Sequence, residues 1–451
     1  MTRRLLSAAL AAALALLPAF AGADDAIAPG SELTLERAVE LARQYNPGRQ
    51  SVESESRAAA ERIGEARSAF LPQVYGVGEY LRATDNGIGD TTYLPGPGIT
   101  RAPSGGRGTN VLSDTFDNYT AGLSVFQYLF DFGRAQGTLR ERNAEADAER
   151  ARLALVDLDL VFQVSSTYFD LVGAKQVVKV YEEAVNQRTE RLNAVKLKAQ
   201  AGLKPEIDIY TANAELARAK LHLVDARNGA ATAKIALDNA MGLGDRAPEY
   251  TQPDSFGPAA ANQPIDSYLQ RAMDQRPDLK MLQDEALAAG ARIEQYQSDY
   301  LPTLDAAAGY NLRGQDSISA SNFYAGVVVT WPLFNGFLTE HQVAESRLRQ
   351  DAVRHMIEDL RQKVVFEVQH SYLDAQASAD RIYQAQQTAD ASRVELDLAS
   401  KRYENGLGSI LELTDAQRRF TEDSAALVRA QADSAIARAA LDRDTGAGLQ
   451  P

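Results

Sequence analysis

The chain has no cysteine among its 451 residues. That excludes both a disulfide framework and a thiolate zinc site. Histidine is almost as scarce: His222, His341, His355 and His370 stand singly, without ligand spacing, so no metal site is expected. Basic residues are outnumbered, 47 Lys+Arg against 61 Asp+Glu, for a net charge of −14. Such a chain gains little from releasing phosphate counterions, which argues against nucleic acid as a partner. Aromatics make up only 7 %, which suits long polar helices better than a large globular core. Phosphate loops, Ser/His/Asp arrangements and cofactor fingerprints are also missing. Neither an enzyme nor a cofactor is expected. Beyond the first residues, no apolar run reaches the ~20 residues of a spanning helix.

What is present begins with "MTRRLLSAALAAALALLPAFAGA". Arg3 and Arg4 precede an apolar run from Leu5 to about Leu17, and small residues follow at Ala21-Gly22-Ala23. This is the three-part layout of a secretory signal peptide over residues 1–23, with cleavage expected after Ala23. No Cys follows that point, so lipid attachment there is excluded. The mature chain is expected to leave the cytoplasm.

The rest is written twice. "SAFLPQVYGVGEY" (Ser68–Tyr80) returns as "SDYLPTLDAAAGY" (Ser298–Tyr310), 230 positions on. Asn46-Pro47 matches Arg276-Pro277 at the same offset. The offset then becomes 204: Leu129-Phe130 pairs with Leu333-Phe334, "VFQVSSTYFD" (Val161–Asp170) with "VFEVQHSYLD" (Val365–Asp374), and Gly202-Leu203 with Gly406-Leu407. The difference falls in a Gly/Pro-rich loop between Arg82 and Tyr119, much longer than its second-half counterpart. Self-similarity over so long a period comes before any decision about fold. It gives a first repeat over 24–242 with a hairpin at 73–130, a linker over 243–264, a second repeat over 265–445 with a hairpin at 303–331, and a tail over 446–451.

Each repeat predicts a helix (Thr34–Ala69; Asp266–Asp299), two strands, a long helix (Arg134–Gln200; to about Glu404), a tight turn and a returning helix (Glu206–Ala240; Ile410–Asp442). The first and returning helices would stack end to end beside the long one. Ile209, Leu216, Leu223, Ala230 and Leu237 keep a seven-residue spacing, as do Leu413, Phe420, Leu427, Ser434 and Leu441, which is coiled-coil packing. The strands alternate. Leu304, Ala306, Ala308, Tyr310 and Leu312 share one face, as do Phe323, Ala325, Val327, Val329 and Trp331, and likewise Tyr119, Ala121, Leu123 and Val125. With so much of the chain in long helices, this face has no core to cover. It reads as the lipid face of a β-barrel, with Leu123, Val125, Tyr310, Val327, Val329 and Trp331 toward the membrane. Four strands cannot close, and open edges are not tolerated in lipid. Several chains must share one barrel: two give eight strands and a filled interior, three give twelve and a lumen. The fold class expected is an α+β membrane protein in which a long coiled-coil barrel continues a β-barrel.

This plan resembles the TolC family of outer-membrane efflux and secretion ducts. The resemblance covers the whole mature chain and rests on the doubled element order, on "FLP" (70–72) and "YLP" (300–302) ahead of each hairpin, on "LFDFG" (129–133) and "LFNG" (333–336) after it, and on the Gly-Leu turns. It implies a homotrimer in the outer membrane of a Gram-negative bacterium, with a twelve-stranded barrel and a twelve-helix periplasmic tunnel. It further implies a periplasmic adaptor (membrane fusion) protein and an inner-membrane transporter as partners. The resemblance places Glu412 and Asp415 at the narrow periplasmic mouth as acidic rings favouring cations. Crowding of those carboxylates is expected to raise some of their pKa values. Asp208 and Tyr403 match the family's gate residues, whereas its gate arginine is replaced by Gly408, so closure is expected to be weaker or held otherwise. Gly202, Leu203, Gly406 and Leu407 are expected to contact the adaptor. The alternative is a secreted coiled-coil protein without a pore.

Overall fold

The computed structural model describes residues 30–84, 115–244, 247–256, 263–315, 318 and 320–447. The leader, residues 85–114 of the long loop, part of the linker and residues 448–451 lie outside the described residues. The elements run α1 (Leu35–Tyr45), α2 (Pro47–Arg67), β1 (Gln73–Thr84), β2 (Thr115–Phe130), α3 (Arg134–Gln200), α4 (Glu206–Ala240), α5 (Ile265–Gln275), α6 (Pro277–Ser298), β3 (Thr303–Gln315), β4 (Ala320–Thr330), α7 (Leu338–Glu404) and α8 (Ile410–Asp444). At 67 residues each, α3 and α7 extend on the order of 100 Å. No helix among the described residues is long and apolar enough to cross a membrane.

The first helix of each repeat departs from the sequence reading. One continuous helix was expected over Thr34–Ala69 and another over Asp266–Asp299. Each is two helices, broken at Asn46 and at Arg276. The residue before a proline is pushed out of the α region by the ring. Asn46 and Arg276 accordingly adopt extended backbone, with ψ of 118° and 124°, and the prolines open the next helix. Thr34 caps the first piece, its side chain accepting from the Arg37 N–H at 3.3 Å. The strands run longer than their alternation suggested, β2 reaching back to Thr115 and β4 to Ala320.

Two compact units divide the chain, and each takes segments from both repeats: 1–51, 154–276 and 363–451 form one, 52–153 and 277–362 the other. The second unit holds the sheet, antiparallel throughout, in the order β1-β2-β3-β4. A bulge shifts the β2–β3 register between Tyr128 and Phe130. At the corners where β2 and β4 lead into the long helices, two consecutive residues take left-handed backbone: Phe132 and Gly133 after β2, Gly336 and Phe337 after β4. Asp131 secures the first corner, its carboxylate accepting from the Gly133 N–H at 3.1 Å and the Ala135 N–H at 2.7 Å. These bonds satisfy donors that a helix N-terminus leaves open.

The first unit is helical. Its core packs Val39 and Leu41 of α1 against Val164, Tyr168, Leu171 and Val172 of α3 and against Leu237, Met241 and Leu243 at the end of α4. Each such buried side chain is worth about 1.5–3 kcal/mol against exposure. The linker is fastened to this core. Thr251 bridges Glu32 in a short parallel pairing, and the Tyr250 hydroxyl donates to buried Asp238 at 2.7 Å. Leu216 and Leu237 of the expected seven-residue stripe on α4 are buried, as are Leu413 and Leu441 on α8.

Candidate functional site

Two helical corners, both in the first unit, carry most of the residues singled out from sequence. At the α3–α4 corner Leu203 N–H donates to the Lys198 carbonyl at 2.8 Å and Gly202 N–H to Ala199 at 2.9 Å. At the α7–α8 corner Leu407 donates to Arg402 at 2.8 Å and Gly406 to Tyr403 at 3.2 Å. This is one Schellman ending built twice. Gly202 and Gly406 sit at φ of 76° and 74°, a region where a Cβ costs about 1–2 kcal/mol. The leucine after each glycine is held outward, Leu203 71 % and Leu407 74 % exposed. Leu411 and Ile207, one turn on, are exposed too.

Asp208 and Tyr403, 195 residues apart, are brought together: the Tyr403 hydroxyl donates to the Asp208 carboxylate at 3.0 Å. Both side chains are buried. Burial first, then this bond, pushes the Tyr403 phenol up to about 12. Two cations flank the ring. The Lys204 ammonium lies 4.0 Å from its centroid and the Arg191 guanidinium 5.3 Å, each within range of cation–π attraction. Lys204 also donates to the Tyr403 carbonyl at 3.4 Å, in the last turn of α7, where a positive charge suits the helix dipole. Arg191 donates to the Ser400 hydroxyl at 2.9 Å.

Glu412 and Asp415 are not brought to a common partner. Glu412 pairs with Arg402 across the corner at 3.0 Å, while Asp415 pairs with Arg418 at 2.8 Å and Arg419 at 2.9 Å. The upward pKa shift expected from crowded carboxylates is opposed within the chain. The Arg418 hydrogen bond, aided by Arg419, holds the Asp415 carboxyl below its ordinary range despite some desolvation. Gly408 explains how the Glu412 pair fits: a Cβ there would lie 3.1 Å from the Arg402 Cβ and 3.2 Å from a Glu412 carboxylate oxygen. Sequence reasoning missed Arg191, Lys204 and Arg402. Lys204, between the corner Leu203 and Pro205, was the one with a local signal; the others act across distances that spacing does not reveal.

In the other unit, Leu123, Val125, Tyr310, Val327 and Val329 emerge on one face of the sheet, and all are exposed. The register pairs Leu123 with Tyr310 and Tyr310 with Phe323, so the apolar side chains form rows across strands. The opposite face is mixed, with Gln73, Glu79, Thr120, Ser124, Asp305 and Asn311 among Tyr75, Val77, Phe126, Tyr128 and Tyr324. Trp331, just past β4, is exposed, and its indole N–H donates to the Tyr300 carbonyl at 3.1 Å. Tyr300, Phe130, Phe132, Phe334 and Phe337 are also exposed at this end of the sheet. An apolar outer band ending in aromatics is how a membrane barrel wall meets lipid.

Fold and surface together define a channel protein built from a helical tunnel segment and a piece of barrel wall. The chain belongs to the outer membrane efflux protein family, which matches residues 38–243 and 268–447; its members are channel proteins rather than enzymes. Protein CyaE of Bordetella pertussis is 23 % identical over 393 residues, covering 86 % of this chain and 78 % of that one. Outer membrane protein TolC of Escherichia coli strain K12 is 25 % identical over 408 residues, covering 85 % and 76 %. Among solved structures, the CmeC outer membrane channel of Campylobacter jejuni superposes with a TM-score of 0.76 at 18 % identity, over 92 % of this chain and 86 % of that one.

Proposed function

We propose that three copies of this chain form a passive duct through the outer membrane of a Gram-negative bacterium. The twelve strands close a barrel, and the long helices line a periplasmic tunnel. The observation that carries this reading is the sheet: four strands with an apolar exposed face, and with β1 and β4 left as edges among the described residues. Open edges are untenable in lipid, so copies must pair edge to edge. Twelve strands leave room for a lumen, which eight do not.

The corners are the inner end of the duct. Leu203 and Leu407 offer paired apolar knobs to a periplasmic adaptor, which couples the duct to an inner-membrane transporter for efflux or type I secretion. The Tyr403–Asp208 bond holds the α7–α8 hairpin against the α3–α4 hairpin and narrows the mouth, in a chain that has Gly408 where the family's gate carries arginine. Glu412 and Asp415, repeated in three copies, favour cations.

The test is direct. The purified chain in detergent should run as a heat-modifiable trimer and conduct in planar bilayers with cation preference. A monomer that does not conduct, with its sheet packed on its own interior, overturns the duct and leaves a coiled-coil protein without a pore.

A further inference from the structure

The two returning helices end alike and are covered differently. At the 204-residue offset of the repeats, Lys234 and Asp238 of α4 correspond to Arg438 and Asp442 of α8. In the first repeat the linker folds back over this pair. The Tyr250 hydroxyl donates to Asp238 at 2.7 Å. The Lys234 ammonium donates to the same carboxylate at 3.0 Å and lies 4.9 Å from the centre of the Tyr250 ring. Leu243 belongs to the same buried core.

Among the described residues the second repeat has no such filling. Ala439 and Ala447 stand where the first repeat has Ile235 and Leu243. Both line a cavity of about 560 Å³, and Asp442 lines it too. The rest of the wall is mostly apolar, with Phe162 and Phe169 of α3 and Phe256 of the linker prominent in it. That size and character suit a small organic molecule.

The other charges at the cavity are engaged or in water. Arg443 pairs with Asp444 at 2.7 Å and lies 4.8 Å from the centre of the Phe162 ring. Arg438 is not free, and Glu36 is exposed to solvent. Asp442 differs. Its carboxylate has no hydrogen-bond or ion-pair partner among the described residues. Desolvation pushes its carboxyl up, against the pull of Arg438 and Arg271. A desolvated acceptor left unmet carries a cost that an incoming donor relieves. A cation would be opposed by Arg438 and Arg271, and an anion by Asp442 itself.

We infer that this cavity binds a neutral para-substituted phenol, with its ring among Phe162, Phe169 and Phe256 and its hydroxyl donating to Asp442. The Tyr250 side chain does the same to Asp238 in the first repeat. The lining comes from one chain, so the site does not depend on the duct.

The test is equilibrium dialysis of para-phenylphenol against the full-length protein at neutral pH, with equal detergent in both chambers. One saturable site per chain is expected. Para-methoxybiphenyl has a similar shape but no O–H, and should bind about tenfold more weakly. Asp442→Ala should bring the two compounds level by weakening the phenol alone. Ala439→Phe, which fills the cavity, should bind neither. Equal affinity of both compounds for the wild type overturns the Asp442 contact. Undiminished binding to Ala439→Phe overturns the cavity as the site, and no saturable binding to the wild type overturns the site altogether. Binding that appears only after residues 448–451 are deleted makes the chain's own tail the occupant and overturns the ligand. Failure of any of these in a protein that still conducts leaves the duct standing.

Discussion

The two corners share a backbone and differ in chemistry. Both end a 67-residue helix in the same Schellman geometry, with a glycine near φ 75° and an exposed leucine. After the leucine they diverge. The α3–α4 corner continues Lys204-Pro205, and its lysine reaches across to the ring and carbonyl of Tyr403. The α7–α8 corner continues Gly408-Ser409. There Ser409 caps its own helix through the Glu412 N–H at 3.1 Å, and the Arg402–Glu412 pair lies over a glycine whose Cβ would crowd both partners. Beyond the leucine, the first corner grips the other hairpin, and the second fastens its own helix. Duplication preserved the turn and left its side chains free to take different tasks.

The largest effect should come from the shared feature. Leu203→Asp and Leu407→Asp should each impair export while trimer levels stay normal, measured as substrate efflux beside an unheated gel; full export in both would remove the corners from the adaptor interface. The difference between the corners is tested next. Tyr403→Phe strands the Asp208 carboxylate without its buried donor, at a cost of about 1–3 kcal/mol, and should raise the conductance of the resting channel. Glu412→Gln breaks an exposed pair worth about 0–1 kcal/mol and should leave resting conductance nearly unchanged. Equal leak from the two would erase the distinction.

A pH scan sharpens the same contrast. The Tyr403 phenol, raised from 10.0 to about 12, holds its proton more tightly in the folded than in the unfolded chain. Its stabilisation is whole below pH 10 and is lost as pH rises through about 12. Conductance of the wild type should therefore climb over that window, and that of Tyr403→Phe should not. The smallest effect is on selectivity: Glu412→Gln with Asp415→Asn should reduce cation preference in reversal-potential measurements. An unchanged preference would discredit the acidic rings.

Much of this architecture could be read from residues alone. The doubled "LP" before each hairpin, the alternation through Tyr310 and Val327, and the Gly-Leu turns are local patterns, and local patterns carry strand, turn and helix. The break at Asn46-Pro47 was equally local. There the proline ring, not the apolar spacing on either side, decides the backbone. The ties around Tyr403 were of another kind. Asp208 entered by resemblance, but Arg191 and Lys204 lie about 200 positions from the ring they flank, and only the folded chain sets them there. For Glu412 and Asp415, sequence showed acids three apart on one helix; it did not show that arginines on either side of them had already claimed both.

Among the described residues, β1 and β4 end the sheet without a second neighbour. For a barrel closed by three copies, as proposed, the genetic consequence is dominance. A copy with one sound edge and one spoiled edge still enters a ring and then prevents it from closing. If half the chains in a cell were of this kind and mixed freely in threes, roughly one ring in eight would be free of them. Edge mutations should therefore poison the wild-type protein made beside them, whereas a chain truncated before its first strand would be silent.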